Sequence, residues 1–405
     1  MGDFHQSGII NTFHNLTQRP LEELEKELEG FSYQRPMTLV LPSLYTELEG
    51  PALGPIIENL AQVQYVDELV IGLDRADEKQ FQHAQEYFRQ LPQRHRILWN
   101  DGPRLKAIAE LLKEKGLAPI APGKGRNVWF CFGYVLASDR AKVVALHDCD
   151  IVTYERDLLA RLLYPVANPS FNYLFCKGYY SRFSQGRLNG RVCRLLVTPL
   201  LRSLRQVVGP SEYLDYLDSF HYALAGEFAL DVSVLQQLRI PSDWGLEIGV
   251  LSEMYRNCAQ NTICQVDIAQ RYDHKHQDMS AGDAQKGLSR MSTDIAKAIF
   301  RKLAIQGTVF NLETFRTVKA TYYRTALDFI EAYYNDARMN GLDLDCHLEE
   351  ETVELFAENI MLAGEHFLSQ PMDTPFMPNW KRVQSAIPDI LERLREAVEE
   401  DNRVC

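Results

Sequence analysis

Residues 141–150 read AKVVALHDCD. An apolar run, Val143 to Leu146, leads straight into two acids two residues apart, Asp148 and Asp150. Residues i and i+2 of a strand point to the same side. Both carboxylates can therefore address one point just past the strand's C-terminal edge, which is where open α/β sheets place their ligands. Hard oxygen ligands suit Mg²⁺ or Mn²⁺, and such ions commonly bridge protein carboxylates to a diphosphate. The competing reading is a solvated strand end with two surface acids, and an Asp-x-Asp alone does not separate the two.

The flanking sequence gives this strand its setting. MTLVLPSL (37–44) is an apolar strand broken at Pro42, LGPIIENLAQV (53–63) has helical spacing, and ELVIGLD is a second strand ending at Asp74. Strand, helix, strand begins a parallel α/β sheet. Residues 78–92 read as a helix, HRILWN (95–100) as a third strand, and LKAIAELLKEKG as an amphipathic helix closed by Gly116. A Pro/Gly loop, APIAPGKGRN (118–127), leads into VWFCFGYVLAS (128–138). That segment has the length of a buried helix and aromatics that also suit a strand. YLFCKGYYSR (173–182) and ICQVDIAQRYDHKH (263–276) read as strands, and RVCRLLVTPLLRSLRQVV (191–208) and DVSVLQQL (231–238) as helical. From residue 284 onward helical periodicity takes over. The expected organisation is an N-terminal extension (1–35), an α/β catalytic domain (36–283) and an α-helical C-terminal module (284–405). The aromatic-rich helices of that module, such as TYYRTALDFIEAYY (321–334), carry more apolar surface than a lone helix tolerates. They are expected to pack on the catalytic domain and to contribute to a homodimer.

Composition excludes several classes. A formal net charge of −12 argues against non-specific nucleic-acid binding, which needs a basic face, while leaving room for a local cationic pocket. No stretch reaches the roughly 18 apolar residues of a membrane span. The N-terminus lacks the basic-then-apolar pattern of a secretory signal, and Gly2 is followed by Asp and Phe, a poor context for myristoylation. The eight cysteines form no Cys-x-x-Cys pair, as expected of reduced, mostly buried thiols in a cytoplasmic protein rather than of a zinc site.

Three further clusters carry candidate chemistry. Gly123-Lys124-Gly125 lacks the spacing of a Walker loop, yet two glycines around a lysine let backbone and ammonium approach an anion; an ordinary loop is the plain alternative. In Arg271-Tyr272-Asp273-His274-Lys275-His276, at a strand exit, an imidazole can supply a metal ligand, or the cluster is simply surface. Glu247, within Trp244-Gly-Leu-Glu-Ile-Gly249, is a carboxylate among apolar residues and glycines, equally suited to capping or ion pairing.

The order of these motifs, together with Leu41-Pro42-Ser43-Leu44, Lys177-Gly178-Tyr179-Tyr180-Ser181-Arg182, Gly190-Arg191-Val192 and Ala225-Gly226-Glu227, resembles the glucosyl-3-phosphoglycerate synthases and their mannosyl-3-phosphoglycerate relatives over roughly residues 36–283. The resemblance implies a GT-A type, Rossmann-like nucleotide-sugar-binding sheet. It implies a retaining, metal-dependent transfer of glucose from UDP-glucose to 3-phosphoglycerate, with GDP-mannose as an alternative donor and glycerate as an alternative acceptor. By the same resemblance Leu41, Pro42, Ser43, Leu44 and Glu47 grip the uracil and ribose. Asp74, Lys124, Asp148 and Cys149 line the donor site, Lys124 at the diphosphate. Asp148, Asp150 and His274 hold Mg²⁺ or Mn²⁺, with His276 as the alternative imidazole. Lys177, Gly190, Arg191 and Arg271 serve the anionic acceptor, and Glu247 and Asp150 stand at the reacting sugar. The chain departs from the family pattern at Arg75-Ala76, where Ser-Gly is usual, and at Cys193, where Thr is usual. A nucleotidyltransferase would carry a glycine-rich loop after its first strand, where this chain has LPSLYTELEG. A non-catalytic sugar-nucleotide binder would have little use for the intact acid pair and Lys124.

Overall fold

A computed structural model of the chain describes residues 6, 8–118, 122–274, 287–371 and 376–403. Its strands are β1 (Asn11–Phe13), β2 (Met37–Leu44), β3 (Val66–Asp74), β4 (Arg94–Trp99), β5 (Val143–Leu146), β6 (Phe175–Tyr180), β7 (Phe183–Ser184), β8 (Arg187–Leu188), β9 (Phe228–Asp231) and β10 (Ile263–Ala269). Eight of them form one sheet in the order β1-β10-β6-β9-β5-β2-β3-β4, and β7 and β8 make a separate hairpin. Strand β9 runs antiparallel to both neighbours, and every other adjacent pair in the large sheet is parallel. The chain winds outward from β2 through β3 to β4, then returns to β5 on the other side of β2. That reversal opens a crevice at the C-terminal ends of β2 and β5, the usual ligand position in such sheets.

The strands are apolar on both faces because both faces are covered. Val40, Val70, Leu98, Val144 and Leu146 belong to one core and Leu39, Leu41, Leu69, Ile71 and Val143 to the other, the alternation expected of a strand. The ambiguous aromatic segment lies in a helix, Lys124–Ser138, with ten buried residues. Burial on nearly all sides explains why periodicity alone left it open. Helix Glu78–Phe88 starts in a capping box, with Asp77 accepting from the Gln80 amide and Gln80 returning the contact. Residues 11–13 of the N-terminal segment add an edge strand beside β10, and the helix Leu21–Ser32 follows.

The C-terminal helices Gly287–Ile305, Leu312–Met339, Cys346–Ser369, Trp380–Ala386 and Ile390–Asp401 extend the first of the two cores. Trp380 stacks on Trp129 with ring centroids 4.2 Å apart and donates its indole N–H to the Trp129 carbonyl at 3.1 Å. Gly133 makes room: a Cβ there would lie 2.1 Å from the Trp380 ring. At the sheet edge the Asn402 side-chain amide accepts from the Ile97 amide (2.9 Å) and donates to the Ile97 carbonyl (2.8 Å), closing that part of β4. Glu399 pairs beside it with Arg94 and Arg96. Among the described residues no helix is long and apolar enough to cross a membrane, and the seven described cysteines are free thiols.

Trp380 is 1% exposed and joins helix to helix by ring stacking and a hydrogen bond. Trp380→Ala is expected to destabilise the fold by about 3–5 kcal/mol. Chemical denaturation monitored by circular dichroism checks this, and a loss under 1 kcal/mol would show that the contact is dispensable.

Candidate functional site

The crevice between β2 and β5 is built from backbone first. The His147 amide donates to the Val40 carbonyl at 3.1 Å, so the polar groups of residue 40 face β5. Pro42, two residues on, faces the same side beyond the last β5 pairing, where its missing N–H costs the ladder nothing. Leu41 is core, Ser43 is buried and donates to the Leu44 carbonyl, and Pro42, Leu44 and Glu47 are partly exposed. At the end of β3 the Asp74 carboxylate accepts from Asn100 at 2.7 Å, and burial raises its pKa. Cys149 is buried, which pushes its thiol pKa up.

Lys124 is the first residue of its helix. Its neighbour Gly125 lies so close to residue 241 that a Cβ would sit 2.1 Å from the Pro241 carbonyl oxygen; only glycine fits. The Lys124 ammonium lies 2.7 and 2.8 Å from the two Asp148 oxygens and 3.2 Å from Glu247 Oε1. Glu247 stands in the first turn of helix Leu246–Asn257. Burial alone would lower the lysine pKa, but the two carboxylates outweigh it and hold the pKa above the ordinary value. Burial pushes Asp148 up to about 6 against the pull of Lys124, with Glu227 and Asp150 adding to the rise.

Asp150 is brought to His274 by the chain segments around them. Ile151 and His274 form an antiparallel bridge, the Val152 amide donates to the Asp273 carbonyl (2.9 Å), and the Thr153 hydroxyl donates to the Arg271 carbonyl (3.3 Å). His274 Nδ1 lies 3.7 Å from Asp150 Oδ2. Burial would raise the Asp150 pKa, but His274 and the charge of Lys124 hold it below the usual range. Asp150 Oδ1 is buried with no hydrogen-bond partner among the described residues. An orphaned anionic oxygen beside an imidazole fits a divalent cation. Among the described residues no three His, Cys, Asp or Glu side chains are grouped as a ready metal cluster, since Asp148 turns to Lys124. His276 lies outside the described residues.

One tripeptide supports three parts of this site. The Ala225 carbonyl accepts from Lys177, and Gly226 backs Asp148 so closely that a Cβ would lie 2.5 Å from its Oδ2. The Glu227 carboxylate accepts from Tyr272 (2.7 Å) and Tyr180 (2.9 Å), whose rings stack 3.6 Å apart directly before Asp273 and His274. The sequence marks this tripeptide but gives Glu227 no role. Asn100 and Glu349 were missed; an Asn at a strand end is the signal that would have found the first, and Glu349 had none.

The residues expected on the acceptor side differ in their settings. Lys177 is fully buried, and burial lowers its pKa to about 8. Arg271 is exposed and contributes its carbonyl. Gly190 adopts φ +79°, a left-handed conformation natural to glycine, and Arg191 Nε donates to Glu349 Oε1 at 2.9 Å.

No family model matches the sequence. Among solved structures, the chain is similar to the mannosyl-3-phosphoglycerate synthase of Rubrobacter xylanophilus (TM-score 0.55, 20% identity, 75% of this chain and 83% of that one). It is also similar to the glucosyl-3-phosphoglycerate synthase of Mycobacterium tuberculosis in complex with Mn²⁺, UDP and glucosyl-3-phosphoglycerate (TM-score 0.53, 21% identity, 73% and 88%). At these identities the likeness establishes the GT-A type fold. The glucosyl-3-phosphoglycerate synthase of Methanococcoides burtonii is 40% identical over 399 residues, covering 98% of this chain and 97% of its own. That of Persephonella marina is 45% identical over 402 residues, 99% of each chain. Alignment from end to end at this level, on the expected sheet, shows that the chain belongs to the glucosyl-3-phosphoglycerate synthase family.

Proposed function

We propose that the chain transfers glucose from UDP-glucose to 3-phosphoglycerate with retention of configuration. The observation that carries this is the half-buried Lys124 ammonium between Asp148 and Glu247 at the sheet's switch point. The family membership supports the acceptor, and the related M. tuberculosis enzyme has been crystallised with Mn²⁺, UDP-glucose and phosphoglyceric acid.

Lys124 is placed to meet the donor diphosphate and offset the charge that grows as the sugar–oxygen bond breaks; fixed charges in a closed site act without reorganising. Asp150 and His274 would hold the divalent cation, with Asp148 beside them; bound there, Mg²⁺ or Mn²⁺ supplies Lewis-acid stabilisation of the departing diphosphate. Glu247, fixed by Lys124, is the acid available to the sugar hydroxyls. The residues at the ends of β2 and β3 remain the proposed nucleoside side of the site. The helical module is read as the dimer-forming part, supported by its exposed Ile305, Val309 and Met339. A cytoplasmic setting is supported by the free, mostly buried thiols.

Incubation with UDP-glucose, Mg²⁺ and 3-phosphoglycerate should give a glucosylated product whose anomeric proton, followed by NMR, keeps the donor's α configuration. Faster transfer from GDP-mannose, or to glycerate, would overturn the assignment. Lys124→Ala should lower kcat by about a hundredfold or more, as removal of one preorganised donor does elsewhere; a change below threefold in steady-state assays counts against its role. Burial pushes the Asp148 carboxyl up to about 6, so protons compete with the cation as pH falls through that value. Calorimetric affinity for UDP with Mg²⁺ should be level from pH 7 to 8 and weaken below about 6. An affinity unchanged between pH 5 and 8 would remove Asp148 from the cation site.

A further inference from the structure

The hairpin β7–β8 and the segment after it, up to Arg194, are held in place from outside the catalytic sheet. The Asp343 amide donates to the Gly186 carbonyl at 2.7 Å, at the hairpin tip. At its base stands Glu349, in the first turn of the C-terminal helix Cys346–Ser369 and 2% exposed. Arg191 Nε donates to its Oε1 at 2.9 Å, while Arg194 donates through Nη1 to Oε2 (2.8 Å) and through Nη2 to Oε1 (3.3 Å). Arg194 is further fixed by the Asn189 carbonyl (2.8 Å) and lies over the Tyr333 ring at 4.8 Å. A carboxylate this buried persists only when paired, and two guanidinium groups on one carboxylate leave one positive charge in surplus.

The two arginines differ in what remains of them. Arg194 is 8% exposed and spends all three nitrogens, whereas Arg191 is 31% exposed and uses only Nε. Its two terminal nitrogens have no partner among the described residues. The guanidinium fork is thus anchored by one edge and left free at the other, the form that bidentate recognition of a phosphate or carboxylate requires.

We propose that Glu349 is a positioning residue for the acceptor: it holds the Nε edge of Arg191 so that the terminal nitrogens meet the acceptor's anionic group. The C-terminal helices thereby set acceptor affinity through a residue that never touches the acceptor. The proposal rests on the reading of Arg191 as an acceptor ligand, and the controls separate the two.

Steady-state kinetics with UDP-glucose and 3-phosphoglycerate test it in Arg191→Ala, Glu349→Asp and the double variant. Glu349→Asp keeps the charge and shortens the reach by one methylene. It should raise the acceptor KM about tenfold, the loss of one charge-assisted hydrogen bond, with the UDP-glucose KM unchanged. In the double variant the acceptor KM should be no higher than in Arg191→Ala, because the two act through one contact. Should Glu349→Asp not fold, the same split between the two KM values and the same double-variant comparison are read in Glu349→Gln, which keeps the size. If Arg191→Ala raises the acceptor KM and the Glu349 variants do not, or if the effects add in the double variant, the positioning role is wrong. Proportional rises in both KM values would mark general damage and overturn it too. An acceptor KM unmoved by Arg191→Ala sinks the acceptor reading and the proposal together.

Discussion

The site depends on one half-buried cation, the Lys124 ammonium, held between Asp148 and Glu247. Each group alone would be costly where it stands, and removing Lys124 would leave two carboxylates facing one another with no cation between them. The triad therefore constrains what surrounds it. The helix bearing Lys124 must approach closely enough that Gly125 touches Pro241. Helix Leu246–Asn257 must begin where Glu247 can reach, and β5 must end where Asp148 does. Three separate stretches of chain thus meet at one point. Two carboxylates against one ammonium also leave the triad one negative charge in surplus, so a cation ligated by Asp150 and His274 would sit in a field already prepared for it.

A second layer of constraint comes from the tripeptide packed against the triad and its neighbours. The tripeptide Ala225–Glu227 receives the Lys177 ammonium, presses on Asp148 and anchors the stacked Tyr180 and Tyr272, all within three residues at the start of β9. Because β9 runs antiparallel to both neighbours, its N-terminal end lies beside the C-terminal end of β5 and the middle of β6. The topology itself puts the tripeptide under the site.

Much of this was legible in the sequence, for definite reasons. Residues 143–150 declare themselves because a strand covered on both faces is continuously apolar and its end is abruptly acidic. Lys124 was marked by its glycines, though the loop reading hid that it opens a helix. What could not be read depends on partners remote in the chain. Glu349 is one glutamate among many in a helical stretch, and only the fold brings Arg191 and Arg194 to it. β1 is three residues long and carries no periodicity, so the N-terminal segment read as an extension although residues 11–13 join the sheet. Lys177 shows a different obstacle: a lysine in a strand is ordinarily read as exposed, and here the sheet encloses it completely.

The edge of the sheet carries one further consequence. The backbone of β4 at Ile97 is satisfied by the side chain of Asn402, 305 residues later in the chain. An open strand edge is a template for pairing with other chains. While the protein is being synthesised, β2, β3 and β4 emerge from the ribosome long before the residue that closes their edge exists. The nascent sheet thus passes most of its time in translation with a sticky border, and chains that stop short of Asn402 keep it for good. A polar side chain at the far end of a helix, remote from the site, is in this sense the chain's own seal against self-association.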